Sequence, residues 1–321
     1  MNRRLRRALA LCARPIVRAE PPGWGHLYSW LGCSGCRNSL WADAGEVKAV
    51  GKGHGYSMQL NLADPHERGV FFLGRGEEKE VDLVLKAGLR PGDTFIDVGA
   101  NIGTLTLLAS RLVEPHGRVI AFEPNPVIAS RVLRSLQDNR IKNATLHQVA
   151  LSDSSGEMTL RVVGGMAVLG TLAPLSPGDA CETGQQFTIP VVRGDDLDLG
   201  PPERPVMVKI DVEGWECAVV RGIACFLRAS RAAVVTEVED AWLRRAGTSP
   251  VELFDLLTSL GYRAFRIEMR RRNLRYGCWL QRLDGPAALT DTSARQRAFR
   301  NVLWLASGSE HERRLANVGV R

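Results

Sequence analysis

The chain has 321 residues, of which 45% are hydrophobic and 24% are charged. These proportions are typical of a globular protein, and they exclude collagen-like, low-complexity and wholly disordered chains. No run of about eighteen apolar residues without a charge occurs, so the sequence predicts no transmembrane helix.

The net charge of +7 is unevenly distributed. Residues 1–40 contain 7 Arg and 1 Glu, and residues 263–321 contain 13 Arg and 5 acidic residues, so the part between them is negative. An enzyme that acts on nucleic acid generally places its positive charge around the active cleft. Because the positive charge here lies at the two ends, we predict no nucleic-acid partner.

The first twenty residues contain six Arg and no acidic residue before Glu20. Three interpretations fit this pattern: an amphipathic helix that contacts an anionic membrane surface, a presequence, and a frayed, solvated terminus. The frayed terminus is the default. We therefore separate residues 1–40 as a basic N-terminal segment that is either disordered or a targeting sequence.

Seven cysteines are spread thinly along the chain, and Cys33 and Cys36 form the only C-x-x-C pair. A zinc site would need a second pair of ligands, and His26 and His54 do not have the required spacing. A disulfide-stabilised protein would be shorter and richer in Cys. We therefore predict free thiols and a reducing, cytoplasmic location.

Residues 41–74 have the pattern of short strands, because Met58, Leu60 and Leu62 alternate with polar residues. This segment predicts a small β-rich hairpin or meander before the main domain. A helix is predicted over 77–87, and it ends at Gly88.

The main domain, over 75–308, alternates between strands and helices. This alternation predicts an α/β fold with a seven-stranded, mostly parallel sheet. The seven predicted strands are 94–98, 118–122, 144–149, 206–210, 233–238, 262–267 and 301–306, and the helices between them are 104–112, 126–139, 215–227 and 250–260. Two more strands, 157–163 and 186–192, flank a predicted mobile loop over 164–184, and residues 309–321 are predicted to be a tail.

The most informative loop follows the first strand of the main domain and has the pattern Asp97-x-Gly99-x-x-x-Gly103. In doubly wound sheets, ligands bind at the carboxyl ends of the strands, and glycines there allow a ligand to approach the backbone closely. The spacing differs from the G-x-G-x-x-G fingerprint of dinucleotide sites. A carboxylate at the rim of this loop would repel a diphosphate and favour a cationic adenosine derivative such as S-adenosylmethionine.

Glu123 ends the next strand, where an ionised carboxylate can accept hydrogen bonds from both ribose hydroxyls. Asp97 and Glu123 at neighbouring strand ends favour a class I methyltransferase fold over a nicotinamide enzyme. The structural alternative is that Asp97 caps a helix and that Glu123 is a solvated loop residue.

Two further segments are Val-Ala-Leu-Ser-Asp over 149–153 and Lys-Ile-Asp-Val-Glu-Gly over 209–214. Together with Asp-Val-Gly-Ala-Asn-Ile-Gly over 97–103, they make the chain resemble the FkbM-type, S-adenosylmethionine-dependent methyltransferases. The resemblance implies a Rossmann-like class I fold. It also implies cofactor-binding roles for a set of residues: Asp97, Gly99, Asn101 and Gly103 at the methionine end, Glu123 at the ribose, Ala150 and Leu151 at the adenine, and Glu78 ahead of the first helix.

Asp211 and Glu213 follow the fourth predicted strand at the same edge of the sheet, with Lys209 just before them. We predict that they are catalytic. Asp211 would orient the acceptor hydroxyl, accept its proton or bind the ammonium of the cofactor, and Glu213 would help to hold a divalent ion. The alternative for Glu213 is that it caps the next helix. Glu237 is a weaker third candidate, and a divalent metal at these acids has no support from the sequence.

The predicted function is O-methylation of a hydroxyl on a sugar, glycan or secondary metabolite. The partner is then a small-molecule or glycan acceptor, and the oligomeric state is left open. The alternatives are an NAD(P)-dependent oxidoreductase and a non-catalytic module that binds S-adenosylmethionine. The cluster Arg270–Arg272 with Arg275 either recognises an anionic acceptor or forms the solvated face of a hairpin, which we favour.

Overall fold

The computed structural model describes residues 3–33, 39–162, 170–173, 185–201, 203–272, 275–289 and 301–316. The chain divides into two compact units. The first unit contains residues 1–79 and 131–141, and the second contains 80–130 and 142–321. Among the described residues, the helices are too short or too polar to cross a bilayer.

The first unit combines three helices with a two-stranded sheet. Its elements are α1 (Arg3–Ala19), α2 (Trp24–Trp30), β1 (Glu46–Val50), β2 (Ser57–Asn61) and α3 (Pro65–Leu73). The segment that the sequence analysis treats by default as frayed is therefore helical from Arg3 to Ala19. The expected hairpin is present, because β1 and β2 pair in antiparallel fashion.

Helix α3 was missed, since residues 65–73 were assigned to the β-rich segment. The helix begins at Pro65 because the Asp64 side chain accepts hydrogen bonds from the amides of His66 and Glu67. An acidic cap followed by proline is a helix-start signal in the sequence. The residues from Glu67 to Leu73 are all buried, so this segment packs as an enclosed helix and not as a strand.

The remaining elements follow in chain order: α4 (Lys79–Gly88), β3 (Thr94–Val98), α5 (Thr104–Val113), β4 (Arg118–Phe122), α6 (Pro126–Asp138), β5 (Ala144–His147), β6 (Ala150–Ser152), β7 (Gly156–Val162), β8 (Gly170–Thr171), β9 (Gln186–Arg193), β10 (Val206–Ile210), α7 (Glu216–Gly222), α8 (Ala224–Ser230), β11 (Ala233–Glu237), α9 (Asp240–Arg245), α10 (Pro250–Ser259), β12 (Tyr262–Arg272), β13 (Arg275–Leu283), β14 (Asn301–Ala306) and α11 (Glu310–Ala316).

The second unit is built on an eight-stranded sheet in the order β13-β12-β14-β11-β10-β3-β4-β5. Strands β11, β10, β3, β4 and β5 are parallel, and β14, β12 and β13 add antiparallel pairs. The predicted α/β fold with a mostly parallel core is confirmed. The prediction of seven strands was short by one, because the segment that forms β13 was not predicted to be a strand.

The strand order reverses at β3, which lies between β4 and β10. At such a reversal, the loops after the two neighbouring strands diverge and leave a crevice at the carboxyl edge of the sheet. Every residue of β3 and β10 is buried. Alternate apolar side chains pack on opposite faces, with Ile96 in one core cluster and Phe95 in another. This burial holds the strand ends in place.

Several predicted boundaries differ from the structure by a few residues, and three of the differences divide or add an element. The strand predicted over 144–149 ends at His147, and β6 then joins a separate four-stranded sheet, β6-β9-β7-β8. The helix predicted over 215–227 is divided after Gly222, where a Cβ atom would lie 1.9 Å from the Ser152 carbonyl oxygen. The predicted tail includes α11, which buries Leu315. The predicted mobile loop over 164–184 lies outside the described residues except for 170–173.

Candidate active site

The loop after β3 is held close to the loop after β10. Gly99 has a φ of 83°, and a Cβ atom there would lie 1.8 Å from the carbonyl oxygen of Asp211. The Gly99 and Ala100 amides both donate to the carbonyl oxygen of Phe122, at 3.0 and 2.9 Å. Asn101 and Gly103 also have positive φ values, 50° and 83°. Gly99 therefore makes room for the chain's own backbone.

Asp97 lies deeper than the rim position expected from the sequence. It is 1% exposed, and one of its carboxylate oxygens accepts a hydrogen bond from Thr106 Oγ1 at 2.5 Å. Burial raises the pKa of Asp97 to about 6, and the nearby Lys209 opposes this rise. Its carboxylate therefore joins β3 to α5. Asp97 would act on a ligand through its electrostatic field and through the shape of the loop that it holds.

Glu123 links the loops after β3 and β4. Its two carboxylate oxygens accept hydrogen bonds from the amides of Asn101 at 2.8 Å and Asn125 at 2.9 Å. Burial raises the pKa of Glu123 to about 7, and the charge of Asp97 adds to this rise. Each carboxylate oxygen can accept a further hydrogen bond, so the group keeps the capacity to bind ribose hydroxyls.

Glu216 caps the turn after β10. The Glu216 carboxylate accepts hydrogen bonds from the amides of Val212 and Gly214, both at 3.2 Å. Burial raises the pKa of Glu216 to about 7. Glu213 lies before the helix with a φ of 50°, a backbone conformation that residues other than Gly rarely adopt. The alternative that Glu213 caps the helix stays a prediction.

Three carboxyl groups meet at the ends of β10 and β11. One oxygen from each of Asp211, Glu213 and Glu237 lies within 4.8 Å of the others. Oxygen atoms at such distances could hold a divalent cation, but acids also cluster without one. The predicted pair Asp211 and Glu213 is thus together, and Glu237 belongs with it.

Lys209 supplies a buried positive charge to this cluster. Its ammonium donates hydrogen bonds to Asp211 Oδ2 at 3.1 Å and to Asn301 Oδ1 at 3.0 Å. Asn301 in turn donates to Glu80 Oε1 at 3.1 Å. Lys209 and Asn301 are 1% and 2% exposed, so this chain of polar groups is shielded from water and holds Asp211 in place.

Glu237 is the member of the cluster that holds a proton most strongly. Burial raises its pKa, and the neighbouring charges of Asp211 and Glu213 raise it further. Asp211 accepts the hydrogen bond of the protonated Glu237 carboxyl group. At neutral pH the arrangement therefore has an ionised Asp211 that receives hydrogen bonds from an ammonium group and from a carboxylic acid.

The sequence analysis did not assign roles to Asn301, Glu80, Thr106 or Glu216. Glu216 had a local signal, because an acid in the first turn of a helix can cap the preceding loop. Asn301 and Lys209 are 92 residues apart, and no local pattern joins them. Asn301 lies opposite Glu237 only because β14 pairs with β11.

The other candidates occupy varied positions. Leu151 is buried in the same core cluster as Ile210, and Ala150 packs in the smaller cluster of the second sheet. Glu78 immediately precedes α4 in the first unit. Their adenine and cofactor roles stay predictions.

The basic cluster lies on the hairpin of β12 and β13. Arg270 pairs with Glu268 at 2.7 Å and lies over the ring of Trp279. The side chains of residues 271–275 lie outside the described part of the structure. Arg270 is thus engaged on its own strand and across the hairpin, and the solvated hairpin face stays a prediction.

Comparison with known proteins identifies the family of this chain. Residues 97–264, slightly more than half of the chain, match the Methyltransferase FkbM domain. The chain belongs to the FkbM methyltransferase family. The resemblance drawn from the motifs is therefore confirmed, and so is the class I fold. The enzyme is an S-adenosylmethionine-dependent methyltransferase, and the family match rules against the nicotinamide alternative.

Two curated proteins of known name are similar to this FkbM-family methyltransferase. It is 30% identical over 185 residues to the hexuronic acid methyltransferase AglP of Haloferax volcanii, a match covering 57% of this chain and 69% of AglP. It is 30% identical over 163 residues to the 31-O-demethyl-FK506 methyltransferase FkbM of Streptomyces tacrolimicus, covering 42% of this chain and 61% of that protein. The chain therefore spans less than two thirds of the Streptomyces protein.

A solved structure, methyltransferase FkbM from Methylobacillus flagellatus, is 15% identical with a TM-score of 0.37. The match covers 74% of this chain and 52% of that one, so the chain spans about half of its length.

The residues at this edge fit the charge of S-adenosylmethionine. The carboxyl groups of Asp97, Glu123, Asp211, Glu213 and Glu237 lie at or beside the ends of four adjacent strands. Lys209 is the buried cation that contacts them. A cofactor with a positive sulfonium and a positive ammonium would offset this excess of negative charge.

Proposed function

We propose that the protein transfers a methyl group from S-adenosylmethionine to a hydroxyl oxygen of a sugar, glycan or secondary metabolite. The observation that carries this proposal is the cluster of Asp211, Glu213 and Glu237 beside the loop after β3. A hydroxyl acceptor must lose a proton during methylation, and the cluster provides a carboxylate to receive it.

The cofactor would be held on the β3 and β4 side of the edge. Glu123 would accept the ribose hydroxyls, and the loop from Asp97 to Gly103 would contact the methionine end. Ala150 and Leu151 would lie at the adenine, and Glu78 is retained as a further cofactor contact. When bound, S-adenosylmethionine supplies a methyl carbon that its sulfonium has already activated, so positioning provides much of the acceleration.

Asp211 is the residue that would receive the acceptor's proton. Lys209 keeps it ionised, and Glu237 donates a hydrogen bond to it. These two donors make Asp211 a weak base. A weak base is sufficient, because the hydroxyl proton becomes strongly acidic once its oxygen bonds to the methyl carbon. Glu213 would orient the hydroxyl from the other side of the cluster.

The same cluster favours a hydroxyl over a carboxylate as the acceptor. A carboxylate needs no base, and it would meet three acidic side chains within 4.8 Å of one another. The name of AglP refers to a hexuronic acid, which carries both kinds of oxygen. For this chain we propose the hydroxyl of such a sugar or of a similar metabolite.

The first experiment measures labelled-methyl transfer into cell extract by the wild type, Asp211→Asn and Glu213→Gln. Because the carboxylate at Asp211 receives the proton, Asp211→Asn should lower the transfer rate by about 10²- to 10⁴-fold, and Glu213→Gln by less. Binding of S-adenosylhomocysteine, followed by calorimetry, should change little in either variant. Asp255→Asn and Glu157→Gln, at exposed positions, are the matched controls.

The second experiment treats the labelled product with mild alkali. A methyl ether keeps its label, whereas a methyl ester releases it as methanol. Label lost to alkali would overturn the hydroxyl acceptor. Full activity of Asp211→Asn would overturn its role as base, and wild-type protein that binds S-adenosylhomocysteine without labelling any acceptor would favour the non-catalytic module.

A further inference from the structure

Helix α1 exposes an apolar face. Within Leu5–Ala19, where the side chains are described, every exposed residue is apolar, and the set is Leu5, Ala8, Leu9, Leu11, Cys12, Pro15, Ile16 and Ala19. Leu5 is 55% exposed and Ile16 is 54% exposed. A surface helix of a globular protein normally turns its charged residues to water and its apolar residues inward. Here the arrangement is reversed.

The arginines of α1 whose side chains are described contact other residues of the first unit instead of extending from the exposed face. Arg14 donates to the Phe71 carbonyl oxygen at 3.0 Å and lies over the Phe71 ring. Arg18 donates to the Val50 carbonyl oxygen at 2.6 Å, and Arg6 donates to the Trp30 carbonyl oxygen.

These carbonyl acceptors are neutral, so the hydrogen bonds position the guanidinium groups without cancelling their charge. Arg7 differs, because it forms an ion pair with Asp43. The apolar face of α1 is therefore bordered by positive charge from Arg6 and Arg18.

Two more apolar side chains extend this face. Trp30 is 58% exposed and Val50 is 51% exposed. Their carbonyl groups accept the hydrogen bonds from Arg6, near the start of α1, and from Arg18, near its end. An exposed indole beside an apolar helix face is typical of side chains that insert at the boundary between lipid headgroups and acyl chains.

We propose that the exposed face of α1, with Trp30 and Val50, docks onto an anionic lipid surface. The apolar side chains would enter the headgroup boundary while the bordering arginines contact anionic headgroups. Charge complementarity selects this occupant over a second copy of the chain. If this face paired with the same face of a second copy, two sets of uncompensated arginines would lie close together. Residues 1–40 of each copy carry 7 Arg and 1 Glu, so the two segments would repel each other.

The test is co-sedimentation of the full chain with vesicles. Vesicles of phosphatidylcholine with about 30 mol% phosphatidylglycerol should bind the protein at least about tenfold more strongly than pure phosphatidylcholine vesicles do. Raising the salt to about 0.5 M should weaken the binding to the anionic vesicles, because salt screens the arginine contribution.

A double substitution, Leu9→Gln with Ile16→Gln, should lower the binding to anionic vesicles by about tenfold, since both side chains would otherwise enter the lipid. Both residues are exposed, so the fold should persist, which the thermal midpoint checks. Val251→Gln, at an apolar residue that is 50% exposed on α10, is the matched control and should bind as the wild type does.

Three outcomes would overturn the proposal. The first is no binding to anionic vesicles, or equal binding to neutral ones. The second is equal loss in Val251→Gln. The third is a dimer, seen by sedimentation equilibrium, that the double substitution dissociates while vesicle binding is absent.

Discussion

The two halves of the active edge use carboxyl groups in opposite ways. On the side of β3 and β4, Asp97 and Glu123 each bond to neutral groups of their own chain, a hydroxyl and two amides. On the side of β10 and β11, the acids Asp211 and Glu237 contact each other. The first half fixes the shape of a loop, and the second half shares a proton.

This difference has a physical origin. Backbone amides and a hydroxyl stabilise the ionised carboxylates of Glu123 and Asp97 without changing their own charge, so they oppose the rise in pKa that burial causes. Carboxyl groups within 4.8 Å of one another cannot all remain ionised, so one keeps a proton. Acids at adjacent strand ends can therefore support ligand binding at one pair of strands and proton transfer at the next pair.

The largest expected effect is a loss of stability when the loop after β3 is forced away from the loop after β10. Gly99→Ala would place a methyl group 1.8 Å from the Asp211 carbonyl oxygen at a φ of 83°. Because backbone is the obstacle, the loops must move apart, and we expect a loss of at least about 3 kcal/mol of stability. Denaturant unfolding measures this loss.

Gly92→Ala is the control for this substitution. Gly92 has a φ of 89°, but nothing lies within 4 Å of the added Cβ. Its replacement should therefore cost about 1 kcal/mol, from backbone conformation alone. Equal losses in the two variants would mean that the loops do not approach each other as described.

The next largest effect is expected on the side of β10 and β11, where the acceptor would bind. Lys209→Met keeps the apolar stem but removes the ammonium that donates to Asp211 and Asn301. We expect a loss of about 2 kcal/mol in unfolding free energy, because two polar groups lose a buried partner. The acidic limb of the methyl-transfer pH profile should also move to higher pH, because the ionised Asp211 that receives the proton loses the ammonium that stabilises its charge.

Lys86→Met provides the matched control for Lys209→Met. The Lys86 side chain is 43% exposed and lies 4.0 Å from Asp82. Its loss should change stability by less than about 0.5 kcal/mol and leave the pH profile unchanged. A Lys209→Met profile identical to that of wild type would argue that Lys209 is only structural.

The smallest expected effect concerns the side of β3 and β4, where the cofactor would bind. Burial raises the pKa of Glu123 to about 7, and the ribose hydroxyls would donate to its ionised form. Below about pH 7 the Glu123 carboxyl group of the free protein carries a proton, and this proton must be released when the ligand binds. The affinity for S-adenosylhomocysteine should therefore fall as the pH drops below about 7. The limiting slope is about tenfold per pH unit. Calorimetry between about pH 6 and 8 measures it, in the window set by this pKa.

Glu123→Gln is the control for this pH dependence. The amide oxygen keeps one acceptor but does not titrate, so the variant should bind more weakly at pH 8 and show no slope. Wild-type affinity that does not vary with pH would show that Glu123 is not the ribose contact.

Local patterns were sufficient for the central strands and for the placement of the acids. Buried parallel strands are short apolar runs between turn residues, so 94–98, 118–122 and 206–210 were predicted with the same bounds as β3, β4 and β10. Parallel strands end at one edge, which is why Asp97, Glu123 and Asp211 were expected together. The added strand β13 was not predicted, because Gly277 lies among its apolar residues and glycine is depleted in strands.

The sequence by itself determined the family, the mostly parallel sheet and the edge at which the chemistry lies, because these depend on residues that are close along the chain. Only the tertiary structure decided the depth of Asp97, which requires Thr106 of α5, and the contact of Lys209 with Asn301 across 92 residues. It also decided which face of α1 meets the solvent. Burial and the pairing of distant charges arise when separate elements pack, so a local pattern does not contain them.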